Sequence, residues 1–181
     1  RVSSPFSNIP LVGGWEAFPV WRQDNPGPIA CIAALGGDRG RDRLEIQHRL
    51  AGAGLHPVSL VHPTAFLADG AVLGSGTQIL ARSSVCVDVK LGEACIVNTS
   101  ASVDHECRIG NGVHIAPGAT LCGLVVVDDF ALVGAGATVM PRVHVGRGAV
   151  VGAGAVVTRD VETGTCVTGV PARVRRRKVL G

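Results

Sequence analysis

Between Pro63 and Thr158 the chain divides into consecutive blocks of six, and every block carries an aliphatic residue at its fifth position. The column starts Leu67, Leu73, Ile79, Val85, Leu91 and ends Val145, Val151, Val157, through 16 blocks and 96 residues without an insertion. Two places earlier in each block stands a small or slim residue, among them Ala65, Thr77, Ser83, Cys95, Ala101 and Cys107. A six-residue period fits neither the turn of an α-helix nor plain strand alternation. It specifies a parallel β-helix of hexapeptides, each a short strand followed by a tight turn. Three blocks close one triangular coil of about eighteen residues, and coils stack at about 4.8 Å. The fifth-position aliphatics then form ladders inside the prism, with the slim residues filling the space beside them. The core is long and thin, so each coil depends on its neighbours.

Composition agrees with a narrow prism: the chain holds no Tyr and only 3% aromatic residues. Its formal charge of +3 is local, because Arg173, Arg175, Arg176, Arg177 and Lys178 fall within the last nine residues. The remainder carries 12 basic against 14 acidic side chains, which speaks against a body built to bind nucleic acid. Six cysteines include no CxxC pair, the usage expected of a reduced, cytoplasmic protein. No apolar run is long enough to span a bilayer, and no signal peptide is expected.

Ahead of the repeats, Ile29 to Leu35 reads as a buried strand, Gly36-Gly37-Asp38-Arg39 as a turn, and Arg41 to Ala51 as a helix. Val58 to Val61 reads as a second strand, completing a β-turn-α-β unit. The glycine turn has two readings: a phosphate cradle at a helix start, or an ordinary entry with Asp38 as N-cap.

Within the repeats, Asp104-His105-Glu106 places an imidazole between two carboxylates. That setting favours the charged ring and suits a general base. His105 falls in a turn, two residues past the inward Val103, and projects outward. One coil further on stands Gly123, so no side chain covers the imidazole, and a backbone N–H is left beside it as a donor to a developing oxyanion. His114 precedes the inward Ile115 and is expected to face out, as a surface residue or a donor to an acyl carbonyl. No Ser or Cys is recognisably paired with His105, which favours direct transfer over a covalent intermediate.

Several segments carry a resemblance: Pro10-Leu-Val-Gly-Gly-Trp15, Ala34 to Arg39, Val61 to Ala65, the Asp104-His-Glu-Cys-x-Ile-Gly-x-x-x-His114 run with Gly123 beyond it, and Val167-Thr-Gly-Val-Pro-Ala-Arg173. They are similar to the sialic acid O-acetyltransferase and nucleotide-amino-sugar N-acetyltransferase family of hexapeptide-repeat acyltransferases. The resemblance implies a left-handed β-helix, an exception to the right-handed crossover rule, preceded by a small α/β domain. It implies three segments: 1–61 as the sugar-nucleotide-binding unit, 62–172 as the β-helix, and 173–181 as a basic tail. The family opens with a strand and a Gly-rich, His-containing loop that has no counterpart here. The unit therefore lacks its first strand, or that loop lies upstream of Arg1. By the same likeness His105 is the general base, and Glu106 and Asp104 orient or polarise it. His114 and the Gly123 amide hold the thioester of acetyl-CoA, whose pantetheine passes Ala135 and Ala153 and whose nucleotide end meets Arg173. Gly36, Asp38 and Arg39 would hold the acceptor's nucleotide. The implied assembly is a homotrimer with active sites between prisms, and no metal is called for. The acceptor is a nucleotide-linked amino sugar, or alternatively a sugar hydroxyl.

Two further classes compete. A γ-class carbonic anhydrase uses the same prism with three zinc-binding histidines, but needs a close pair separated by four residues. Here His105, His114 and His144 lie nine and thirty apart. A catalytically silent β-helix scaffold is the other.

Overall fold

Each hexapeptide folds as a two-residue strand and a two-residue turn in the computed structural model, which describes residues 8–175. Arg176, Arg177 and Lys178 of the expected basic tail lie outside the described residues. The strands stack into three parallel sheets, the faces of a left-handed triangular prism of about 6 turns. The six-stranded face runs from Phe66–Leu67 to Val156–Val157, and the five-stranded face from Val72–Leu73 to His144–Val145. The eight-stranded face runs from Leu60–Val61 to Cys166–Thr168 and adds an antiparallel Arg173–Val174 at its end.

Pairing follows the sequence period. Val103 sits over Val85 and under Leu121, and Ile115 over Val97 and under Val133, so each rung is one coil from the next. The fifth-position ladder is buried from Ile79 to Val157, and the slim third-position residues Thr77, Ser83, Cys95, Ala101 and Cys107 are buried beside it. Leu67 and Leu73 in the first coil are only half-buried. The period ends at Thr158. Val145 pairs with Val161 and Val150 with Cys166, so the last coil is two residues shorter than those before it.

The second residue of each turn takes the left-handed backbone region even where it is not glycine, as at Ala94 (φ 52°), Glu106 (φ 58°) and Leu124 (φ 63°). A side chain there is strained, and the many stacked neighbours over-determine it.

The N-terminal unit differs from its sequence reading. The strand expected over Ile29 to Leu35 is short: β1 (Ala30–Cys31) pairs in parallel with β2 (His56–Pro57). The carbonyls beyond it are taken by side chains from elsewhere, described below. Of the second expected strand, Val58 to Val61, only β3 (Leu60–Val61) forms, and it joins the solenoid by pairing with Gln78–Ile79, while the strand that pairs with β1 lies just before the expected range. Helix α1 (Phe18–Asp24) packs its aromatic rings with Trp15, whose face carries the Arg49 guanidinium at 3.7 Å. Helix α2 (Gly40–Gly52) lies along the prism edge formed by Gly76, Ala94 and Gly112. Its N-cap is Arg39, without a side-chain cap, rather than Asp38. The start is fixed by packing instead: a Cβ on Gly40 would stand 2.0 Å from the Gly112 carbonyl oxygen.

Candidate active site

His105 and Glu106 form the turn joining the six- and five-stranded faces. The left-handed conformation of Glu106 turns its carboxylate back to the ring, and Oε2 lies 3.1 Å from His105 Nδ1. A carboxylate only accepts, so Nδ1–H is the donor of this pair, and in the neutral ring Nε2 is left as the acceptor. Both side chains are about half exposed, at 46% and 50%. A Cβ on Gly123 would sit 2.3 Å from His105 Nε2 and 2.6 Å from Cε1, so the ring lies directly against that glycine. The coil arithmetic therefore places the two correctly, and only glycine leaves room for the imidazole.

Asp104 does not touch the ring. Its Oδ1 accepts the backbone N–H of His105 at 2.8 Å, fixing the turn. It also faces the Cys86 thiol, which burial and this carboxylate push upward. The buried thiols are protonated: Cys95 donates to the Gly110 carbonyl and is pushed up to about 12, and Cys107 donates to the Cys122 carbonyl at about 11. Burial raises each, because a thiolate loses its hydration there. Neither is a nucleophile at neutral pH.

His114 departs from expectation. It faces out of the prism, on the eight-stranded face, yet is only 6% exposed because the N-terminal unit covers it. Nδ1 donates to the Gly37 carbonyl at 3.1 Å. Asn98 lies 3.0 Å from Nε2 through its amide nitrogen, since its oxygen already accepts the Thr99 N–H. Nε2 is thus an acceptor, and His114 has no N–H left to offer an acyl carbonyl. Burial holds its pKa below the ordinary value.

The remaining expected residues are spread around the molecule. Gly36 lies against His114, with a Cβ there 3.8 Å from Cε1. Asp38 and Arg39 are exposed beside it, Arg39 paired with Asp42 at 2.7 Å. Ala135 and Ala153 are exposed on a third edge, where the eight-stranded face turns into the six-stranded one. Arg173 is exposed at the far end of the eight-stranded face. One chain therefore brings together His105, Glu106 and Gly123 on one edge, and His114 with Gly36 to Arg39 on another side. His144 lies on the five-stranded face with Nε2 2.9 Å from Asp128. Among the described residues no three His, Cys, Asp or Glu side chains converge on one point.

On the side away from the His105 edge, where the five-stranded face turns into the eight-stranded one, lies a groove of about 670 Å3 lined by Lys90, Arg108, Asn111, Asp128, Asp129 and Arg147. Sequence reasoning missed three residues that build the site's frame: the buried Arg43 and Gln78 and the half-buried Asn98. A signal existed for the first, since Arg43 and Gln47 are one helical turn apart on a single face. Polar residues at that spacing ordinarily mark a solvated face.

Comparison with known proteins places the chain. Residues 125–159 match the family model described as bacterial transferase hexapeptide (six repeats). The GDP-perosamine N-acetyltransferase of Escherichia coli O157:H7 is 34% identical over 100 residues, 55% of this chain. That match spans 44% of the enzyme's length, less than half of it. PerB from Caulobacter crescentus, solved with CoA and GDP-perosamine, superposes with a TM-score of 0.89 at 33% identity, covering 95% of this chain and 81% of that one. The acetyltransferase domain of PglB from Neisseria gonorrhoeae, solved with acetyl coenzyme A, gives 0.88 at 31% identity, covering 97% and 83%. With its uninterrupted hexapeptide ladder and near-complete superposition, the chain belongs to the hexapeptide-repeat sugar acetyltransferases of the left-handed β-helix type.

Proposed function

We propose that this chain transfers the acetyl group of acetyl-CoA to the amine of a nucleotide-linked amino sugar, without a covalent enzyme intermediate. The observation that carries the reading is the His105–Glu106 pair at an open prism edge, with Nδ1 held by the carboxylate and Nε2 lying over Gly123. In this reaction the amine nitrogen attacks the thioester carbonyl carbon. The C–N bond forms, the C–S bond breaks, the amine proton passes to His105 Nε2, and CoA departs as thiolate or thiol. Glu106 stabilises the resulting imidazolium through Nδ1–H. The Gly123 N–H is the proposed donor to the oxyanion. The complexes solved for PerB and PglB, with CoA or acetyl-CoA bound, support acetyl-CoA as the donor. GDP-perosamine in the PerB complex supports a nucleotide amino sugar as the acceptor.

The spread of the site residues supports a homotrimer in which His105 of one prism meets the Gly36 to Arg39 loop and the Ala135–Ala153 edge of neighbouring prisms. His114 enters as a support for that loop, in place of a contact to the thioester. Six unpaired cysteines support a reducing compartment, the cytoplasm. Among the described residues no helix is long and apolar enough to cross a membrane.

A thiol-release assay with acetyl-CoA and a panel of GDP-, UDP- and dTDP-linked amino sugars tests the reading. Release of CoA that requires one of these amines, with N-acetyl product detected by mass spectrometry, is the expected result. Release with sugar hydroxyl acceptors alone would contradict it.

A further inference from the structure

Arg43 is fully buried and no carboxylate pairs with it among the described residues. Its guanidinium is spent on carbonyl oxygens instead. Nε donates to Ala94 O at 2.6 Å, and Nη2 to Gly112 O at 2.8 Å and, more weakly, to Val113 O at 3.4 Å. Nη1 donates to Leu35 O at 2.5 Å. The first three acceptors belong to the prism edge, whereas Leu35 belongs to the segment entering the Gly36–Gly37 turn. That segment is tied at every second carbonyl. Ala33 O accepts from Gln78 Nε2 at 3.1 Å, Leu35 O from Arg43, and Gly37 O from His114 Nδ1 at 3.1 Å. Gln78 and His114 occupy the same outward position two coils apart on the eight-stranded face, with Ile96 between them. Residues 33–37 thus climb the face like a strap, fastened at three points from Ala33 to the turn at Gly37.

We propose that Arg43 is the positioning residue of the acceptor site, setting where the Gly36 to Arg39 loop stands relative to the prism; this rests on the reading that the loop holds the acceptor's nucleotide. One planar guanidinium reaches the edge and the strap at once because its donors diverge in a fixed fork. Lysine presents its three donors from a single atom and cannot serve both. Gly40 is part of the device: without a Cβ, the first turn of α2 lies on Gly112, and Arg43, one turn on, reaches the edge carbonyls.

The test compares the full-length protein with Arg43→Lys, Arg43→Ala and the milder Gln78→Leu, which releases only Ala33. Two readouts are taken: amide hydrogen exchange over residues 33–40, and steady-state kinetics with acetyl-CoA and GDP-perosamine as the acceptor probe. In Arg43→Lys, exchange over residues 35–39 is expected to accelerate, with KM for the acceptor rising about tenfold or more. KM for acetyl-CoA and kcat are expected to stay within about threefold. Gln78→Leu should show the same pattern more weakly, and methylguanidinium should partly restore the acceptor KM of Arg43→Ala. A kcat loss with both KM values unmoved, or unaltered loop exchange in both Arg43→Lys and Gln78→Leu, would overturn the assignment. If the substituted arginine prevents folding, Gln78→Leu alone decides by the same criteria. Inactivity of the unaltered protein would count against the proposed function, while the exchange readout still decides the strap.

Discussion

Replacing Gly123 by alanine puts a carbon 2.3 Å from His105 Nε2, so either the ring swings away or the turn opens. Displacing a base by an ångström costs about 10²-fold in rate, and that loss in kcat is expected for Gly123→Ala, with far-UV circular dichroism unchanged. Full activity in this variant would mean the ring does not work from its observed position. Glu106 offers a sharper separation of function from stability. Its φ of 58° strains a side chain, at about 1–2 kcal/mol. Glycine relieves that strain while loosening the unfolded chain by about 0.4–1 kcal/mol. Glu106→Gly should therefore melt no lower than the parent in scanning calorimetry. Its kcat should fall about 10- to 100-fold as the imidazole loses its carboxylate. A lower melting temperature with unchanged kcat would make Glu106 a structural residue.

Among the elements, the ladder and the strap behave differently under challenge. Leu121 is fully buried between Val103 and Val139, so Leu121→Ala should cost about 2–5 kcal/mol in urea unfolding, because a narrow prism cannot collapse around the gap. The strap adds a pH term through His114. Burial holds its pKa below the ordinary 6.5, and its Nε2 accepts a hydrogen bond that protonation would destroy. The unfolded chain then binds its proton first as pH falls below 6.5, so the native state loses stability between that value and the depressed native pKa. Above pH 6.5 the contribution is fully present. His114→Gln should flatten the pH dependence of the urea midpoint in that window; an identical slope in the variant would contradict the buried neutral ring. These two elements also differ in how far they were legible from sequence. A column of sixteen aliphatics dictates every rung, and the coil length alone puts Gly123 at His105. The strap leaves no such pattern, since Gln78, Arg43 and His114 are far apart in the chain and meet only when α2 docks on the prism. For the same reason His114 reads as outward and exposed: outward from the prism is correct, but the covering layer belongs to another part of the fold. The two-residue shortening after Thr158 is visible in retrospect as the change of spacing from Val157 to Val161.

For the whole molecule, the separation of the parts matters most. His105 stands on one prism edge, and the Gly36 to Arg39 loop stands outside the opposite face, so the proposed function requires a site completed by neighbouring chains. Light scattering should report three copies per particle. Mixing unfolded His105→Ala chains with chains carrying Asp38→Ala and Arg39→Ala, then refolding them together, should restore a fraction of the parent activity absent from either variant alone. No recovery in particles shown to be mixed would place the whole site within one chain. Beneath all of this lies one claim, that the His105 imidazole removes the acceptor's proton. The most direct measurement is the kcat of His105→Ala with saturating acetyl-CoA and GDP-perosamine, alongside acetyl-CoA affinity by calorimetry. A fall of about 10²–10⁴-fold is expected, in a correctly assembled protein that binds acetyl-CoA as tightly as the parent. Turnover at the parental rate would contradict it.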